Sequence, residues 1–275
     1  MVVVSRVYDR VADLYDDDWS GLYAMARMHC INQIASQLAS LDGPLDTVDF
    51  GIGTGNALSE LQQRVPLGDC TGFDISKGML TQAAKKLNGN VKLIHDDAAR
   101  ADRYLNEESL DLALCHFLLS FVNAHHALDM AHSLLRPGGM LSLATSTQES
   151  LSEIHNIHYP RVSRLVGVQR SLRQASTPLN HRQCMELLEI HGFEIVDEHL
   201  QRQSVCFESF DDVRCWALDS GWAASFLDGP LGIGKIWVRP AFALAELLFH
   251  PFYPINATNE ISIVLARKPG PIDPP

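Results

Sequence analysis

From Val48 to Thr145 the chain repeats one alternation: a short apolar run, a turn, then a segment with helical spacing of apolar residues. Thr47–Phe50, Cys70–Asp74, Val91–His95, Asp111–Cys115 and Met140–Thr145 read as strands. Between them, Asn56–Val65 places Ala57, Leu58, Leu61 and Val65 on one helical face. A helix capped by Ser76 does the same with Met79, Leu80, Ala83, Ala84 and Leu87, and a further helix spans about Asn123 to Leu135. Strands and helices alternating at this spacing imply βαβ units and a mostly parallel sheet. Beyond residue 148 a helix capped by Asn180 ends at Gly192, and Phe193–Leu200 and Glu260–Arg267 supply a sixth and a seventh strand. The expected fold is α/β, a Rossmann-like, doubly wound, seven-stranded and mostly parallel sheet.

Three segments break the rhythm. Residues 5–40 precede the first strand and read as a helical lid. Residues 41–147 form the core, and 148–206 hold a lid segment, a helix and the sixth strand. Residues 207–259 form a helical cap insertion before the last strand at 260–268, and 269–275 are a frayed tail. The stretch 207–255 holds ten aromatic side chains, too many for a solvated linker, so it is expected to pack over the carboxyl edge of the sheet. The whole chain of 275 residues is read as one domain.

Residues 48–61, VDFGIGTGNALSEL, carry the chemistry. In an open α/β sheet, ligands bind beyond the carboxyl ends of the strands. Gly51, Gly53 and Gly55 lie there, ahead of a helix N-terminus with its positive dipole end. The dinucleotide pattern GxGxxG is not met: the third glycine is one position early, and Asn56 holds its place. Asp49 precedes the turn by two residues. A carboxylate there repels a pyrophosphate and attracts a cation. The chemistry points to S-adenosylmethionine (SAM), which carries an ammonium and a sulfonium and no phosphate. Asp74 closes the second strand, where a carboxylate can accept both ribose hydroxyls. Asp97, in HDDAA, can accept the adenine amino group, with the Ala98 amide facing a ring nitrogen; Asp96 is the alternative.

The chain thus resembles the class I SAM-dependent methyltransferases, and in particular the small-molecule, ubiquinone/menaquinone type. The resemblance rests on Asp49-Phe50-Gly51-Ile52-Gly53-Thr54-Gly55, on GFDIS, on the Asp97-Ala98 pair, on LDLALCHF and LLRPGGML, and on the leading VYDRVADLYDDDW. It covers residues 5–145 well and 180–200 and 260–268 moderately. It implies that Gly51, Gly53 and Gly55 meet the cofactor through backbone. Asp74 and Ile75 would sit at the ribose, and Asp97 and Ala98 at the adenine. Tyr15 would lie near the amino acid end, and backbone around Cys115 would line the methionine moiety. The product would be S-adenosylhomocysteine (SAH).

Methyl transfer is an in-line displacement that asks mainly for positioning and exclusion of water. A base helps when the acceptor is a hydroxyl or carbon acid. His116, after the fourth strand, is the candidate. His125 and His126 open the next helix, and His155 and His158 lie with Tyr159 in the segment after the fifth strand. The HNIH spacing has no clear third ligand, so no metal is expected.

The formal net charge is -11, from 22 basic and 33 acidic residues, which argues against binding a phosphate backbone. The six cysteines are scattered without a CxxC pair, as in a reducing compartment. No apolar run reaches the ~18–20 residues of a membrane span, and MVVVSRVYDR is too short in apolar residues for a signal peptide. A cytoplasmic enzyme, monomer or homodimer, is expected, acting on a small and at least partly apolar acceptor at O, N, C or S. The competing readings are a SAM-fold enzyme that does not transfer methyl, a degenerate partner subunit and a nicotinamide dehydrogenase.

Overall fold

The computed structural model describes residues 2–17, 20–38, 43–87, 89, 91–153, 177–219 and 253–270. Two helices lead, α1 (Val2–Val11) and α2 (Leu22–Leu38). Then β1 (Leu45–Phe50), α3 (Asn56–Leu61), β2 (Leu67–Asp74), α4 (Lys77–Lys86) and β3 (Val91–His95) follow. A 3-10 turn at Ala98–Arg103 leads to β4 (Leu110–His116), α5 (Ala124–Leu134) and β5 (Leu135–Ser146). The chain closes with α6 (His181–Ile190), β6 (Glu194–Phe207), α7 (Phe210–Asp219) and β7 (Ile255–Arg267).

The seven strands form one sheet in the order β3-β2-β1-β4-β5-β7-β6. The first five pair in parallel, and β7 runs antiparallel to both β5 and β6. The strand order reverses between β1 and β4, which opens a crevice at their carboxyl ends. Because side chains alternate across the sheet, consecutive residues of one strand enter opposite cores. Ala113 and Cys115 of β4 pack with Leu128 of α5 and Leu188 of α6. Leu112 and Leu114 pack on the other face with Ile34 of α2, Leu61 of α3 and Leu87.

The caps agree with the sequence. Ser76 Oγ accepts from the Met79 amide, Asn123 caps α5 through the His126 amide, and Asn180 caps α6 through the Gln183 amide. Gly192 ends α6 with φ 82°.

Four expectations need correction. The helix expected to reach Val65 ends at Leu61 and passes into turns. α2 is a layer of the core and not part of a lid, since Ile31, Ile34 and Leu38 are buried against the sheet. β6 continues to Phe207, well past Leu200. β7 starts at Ile255, so residues 255–259 belong to the sheet and not to a cap. After a register shift between Ile195 and Asp197, the two strands stay in register from Asp197↔Leu265 to Phe207↔Ile255. Their extension packs Val205, Phe207, Ile255 and Ala257 against Leu22 and Trp216. Asn256 and Asn259 hid this continuation in the sequence, because Asn is depleted in strands. The HNIH segment, the aromatic residues of 220–252 and the tail 271–275 lie outside the described residues.

Candidate active site

The turn after β1 and the end of β2 are built as one unit. The Gly53 amide donates to Asp74 Oδ2 at 2.9 Å, and the Ser76 amide donates to Asp74 Oδ1 at 2.8 Å. Gly51, Gly53 and Gly55 all have positive φ, at 92°, 55° and 82°. At Gly53 a Cβ would meet nothing within 4 Å, because this residue borders open space. At Gly55 a Cβ would lie 2.8 Å from Leu87 Cδ1 and 3.2 Å from Ala83. Gly55 therefore lets α3 and α4 approach, and it does not face the site.

A cavity of about 420 Å3 opens at this edge. Of the expected residues, Tyr15, Gly51, Gly53, Asp74, Ile75, Asp97, Ala98 and His116 line it. Asp49, Gly55 and Cys115 do not. Asp49 is 2% exposed, between Gly72 and Leu114 of the flanking strands. Cys115 points into the core under α5, and burial pushes its thiol up to about 12. The lining of the cavity begins one residue later, at His116.

Two buried acids at this edge are pushed upward. Burial pushes Asp74 up to about 6 against the two amides that favour its charge. Burial, and then Asp74 itself, pushes Asp49 up to about 8. Two carboxyls under strain of this kind favour a cationic ligand. Asp96 and Asp97 both line the cavity. The Asp96 carboxylate accepts from the Asp97 amide and the Tyr104 hydroxyl, both at 2.8 Å. Asp97 Oδ1 caps the 3-10 turn through the Ala99 amide at 3.0 Å, which leaves its other oxygen for a ligand.

His116, at the end of β4, lines the cavity. Its Nε2 lies 3.0 Å from Ser142 Oγ, across to β5, and burial, with Arg27 second, pushes it down to about 4. The adjacent Phe117 turns the chain sharply, at φ 57°, and sends Leu118, Phe121 and Val122 into the cavity wall.

Sequence reasoning passed over this FLLSFV run because it has neither strand nor helix period. It also passed over Tyr8, whose ring sits edge-on to Tyr15 and Phe121 at 5.9 and 5.7 Å. Together these rings make an apolar, aromatic outer half of the cavity.

α1 and the following turn close the cavity with Val4, Tyr8 and Tyr15. Three acids fix this lid. Asp9 Oδ1 accepts from Ser76 Oγ at 2.7 Å and from the Gly78 amide at 2.9 Å, adding a second cap to α4. Gln82 donates to Asp13. Asp16 accepts from Thr54 Oγ1 at 2.7 Å and Asn56 Nδ2 at 2.8 Å, and pairs with Lys86.

Residues 47–139 match the family described as a methyltransferase domain. The malonyl-[acyl-carrier protein] O-methyltransferase of Dechloromonas aromatica is 30% identical over 156 residues, which is 56% of this chain and 54% of that one. The chain thus spans about half the length of this relative. The demethylmenaquinone methyltransferase of Staphylococcus epidermidis is 26% identical over 232 residues, 82% of this chain and 88% of that one. Among solved structures, the [4+2]-cyclase SpnF superposes with a TM-score of 0.53 at 20% identity, covering 87% of this chain and 80% of that one. At that identity the likeness is one of fold. Residues 47–139 therefore carry a methyltransferase domain, set in the fold that the solved structures share. No helix among the described residues is long and apolar enough to cross a membrane, and they contain no group of three or more metal-ligating side chains.

Proposed function

We propose that this protein transfers the methyl group of SAM to a small, partly apolar acceptor in the cytoplasm. The observation that carries the reading is the pair Asp49 and Asp74 beneath and beside the glycine turn. Both carboxyls are pushed upward by burial, an arrangement that a cationic ligand relieves and a pyrophosphate worsens. The open space over Gly53 fits close approach of a ligand to backbone. In this reading Asp74, with Ile75 beside it, holds the ribose hydroxyls. Asp97 and the Ala98 amide hold the adenine, and Asp49 supports the ammonium end near Tyr15.

The cofactor, when bound, supplies a methyl group on a sulfonium with a good leaving group. The chain's part is positioning and exclusion of water. Tyr8, Phe117, Leu118, Phe121 and Val122 make the space around the acceptor apolar, and α1 covers it. His116 orders the end of β4 through Ser142, and burial favours its neutral imidazole. The relatives' printed substrates, a malonyl group on a carrier protein and demethylmenaquinone, both suit an outer cavity that admits an apolar chain or ring. The reading has no nucleic acid partner, and the protein acts as a monomer or homodimer.

Calorimetric titration with SAM and SAH, with NAD and NADP as controls, tests the reading. Micromolar binding of SAM or SAH alone is expected. Heat with NAD, or silence with all four, overturns it.

A further inference from the structure

A second space adjoins the aromatic wall of the cavity. Ser120, Phe121 and Val122 also line this space of about 550 Å3 between α5 and α6, walled further by His125, Gln183 and Leu187. A hydrogen-bond chain fixes one nitrogen in that wall. His191 Nδ1 lies 2.6 Å from Asp129 Oδ1, and His191 Nε2 lies 2.8 Å from His125 Nδ1. A carboxylate only accepts, so His191 carries its hydrogen on Nδ1. In the neutral ring, Nε2 is then an acceptor, and His125 Nδ1 must donate to it. The neutral ring of His125 has no second hydrogen, so its Nε2 presents a bare lone pair. No described residue bonds to it. The neighbouring His126 differs, since its Nε2 lies 3.0 Å from the Ala99 carbonyl oxygen. The His191 side chain is 9% exposed, and that of Asp129 is 67% exposed.

We propose that this groove is the outer part of the acceptor site and that His125 Nε2 accepts a hydrogen bond from a hydroxyl or N–H group on an uncharged acceptor. The inference rests on the methyl-transfer reading. It adds the chemical class of the acceptor's far end: a neutral donor, not a carboxylate, which a bare nitrogen lone pair repels. Asp129 and His191 are positioning residues that set the tautomer, and a plain tether between α5 and α6 would need no such exposed acceptor.

The test uses the full chain with 15N-labelled histidine rings, saturated with SAH at pH 8 and observed by two-bond 1H–15N spectra. His125→Gln assigns the signal. The expected result is an unprotonated Nε2 on His125 whose signal moves saturably with added phenol and stays still with the same concentration of benzoate. In His191→Phe the tautomer is released, and the response to phenol is expected to fall by about five-fold or more. A proton on Nε2 in the native protein, no response to phenol, or an undiminished response in His191→Phe overturns the proposal. Calorimetry on the same sample separates the two readings. Absence of SAH binding removes the methyl-transfer reading itself, whereas SAH binding without a phenol response removes only the subsite.

Discussion

The amide of Gly53, in the turn after β1, and the carboxylate of Asp74, at the end of β2, are joined at 2.9 Å although they stand 21 residues apart. This bond couples the turn after β1 to the acid that closes β2. With the second oxygen of Asp74 held by the Ser76 amide, the carboxylate has one orientation before any ligand arrives. Preorganisation of this kind lowers the cost of ordering on binding.

Asp74→Ala is therefore expected to lose SAH affinity steeply. Hydrogen bonds to a charged group are worth roughly 1.5–3 kcal/mol each. Two lost hydroxyl contacts predict a fall on the order of 100-fold or more in a calorimetric titration. Affinity within a few fold of the native value would remove Asp74 from the ribose.

The glycines of the turn should separate by phenotype. Gly55→Ala places a methyl 2.8 Å from Leu87 Cδ1 at a φ of 82°, so it combines overpacking with backbone strain. A loss of about 2–4 kcal/mol in urea unfolding is expected. Gly53→Ala meets nothing within 4 Å, and only the left-handed backbone costs it, about 1–2 kcal/mol. Its methyl enters the cavity, so SAH binding should fall more than stability does. Equal stability losses in the two variants would contradict this division.

The pH dependence of stability has two opposed parts. Asp74 and Asp49 have folded values raised to about 6 and about 8, so the native state binds their protons more tightly than the unfolded chain. The stability they contribute is complete below the ordinary carboxylate range and is lost as pH rises through 6 and then 8. His116 is lowered to about 4, so its contribution is present above the ordinary histidine value of 6.5 and is lost as pH falls toward 4. Asp49→Asn should flatten the melting temperature of the ligand-free protein between pH 6 and 8. His116→Gln should flatten it between pH 6.5 and 4. A parallel pH profile in either variant would sink the corresponding assignment.

The lid should open faster when its latch is cut. Asp16→Ala removes contacts to Thr54, Asn56 and Lys86 at once. Exposed ion pairs are worth only ~0.2–1 kcal/mol, and the two neutral donors add about as much again. SAH dissociation is expected to quicken about 3- to 10-fold in stopped-flow displacement. The native rate should rise with salt, and the variant's should respond less. Identical rates in both proteins would mean that α1 does not gate the cavity.

The sheet was readable because its central parallel strands are buried on both faces and so appear as apolar runs between turn signals. β1, LDTVDF, and β4, LDLALCH, show this plainly. The ends of β6 and β7 were not readable. INATNE is polar, and it forms a strand only because Ile255 and Ala257 find Leu22 and Trp216, which lie far away in sequence. The direction of the Cys115 side chain was not readable for a related reason. Strand alternation gives each residue one face, and without the third dimension the face turned to α5 cannot be told from the edge that meets the ligand.

Sequence by itself determined the class of fold, the glycine turn, the acids at successive strand ends and the absence of a dinucleotide pattern, because these depend on local spacing and residue type. Only the tertiary structure decided which of those residues share a cavity. It sank Asp49 under the turn and aimed Gly55 at Leu87. It tied His116 to Ser142 and brought Tyr8 to Phe121. It also assembled Asp129, His191 and His125 from two helices. Each of these depends on a contact between segments distant in the chain. Burial and hydrogen bonding, which set a side chain's protonation and reach, are properties of that contact and not of the residue alone.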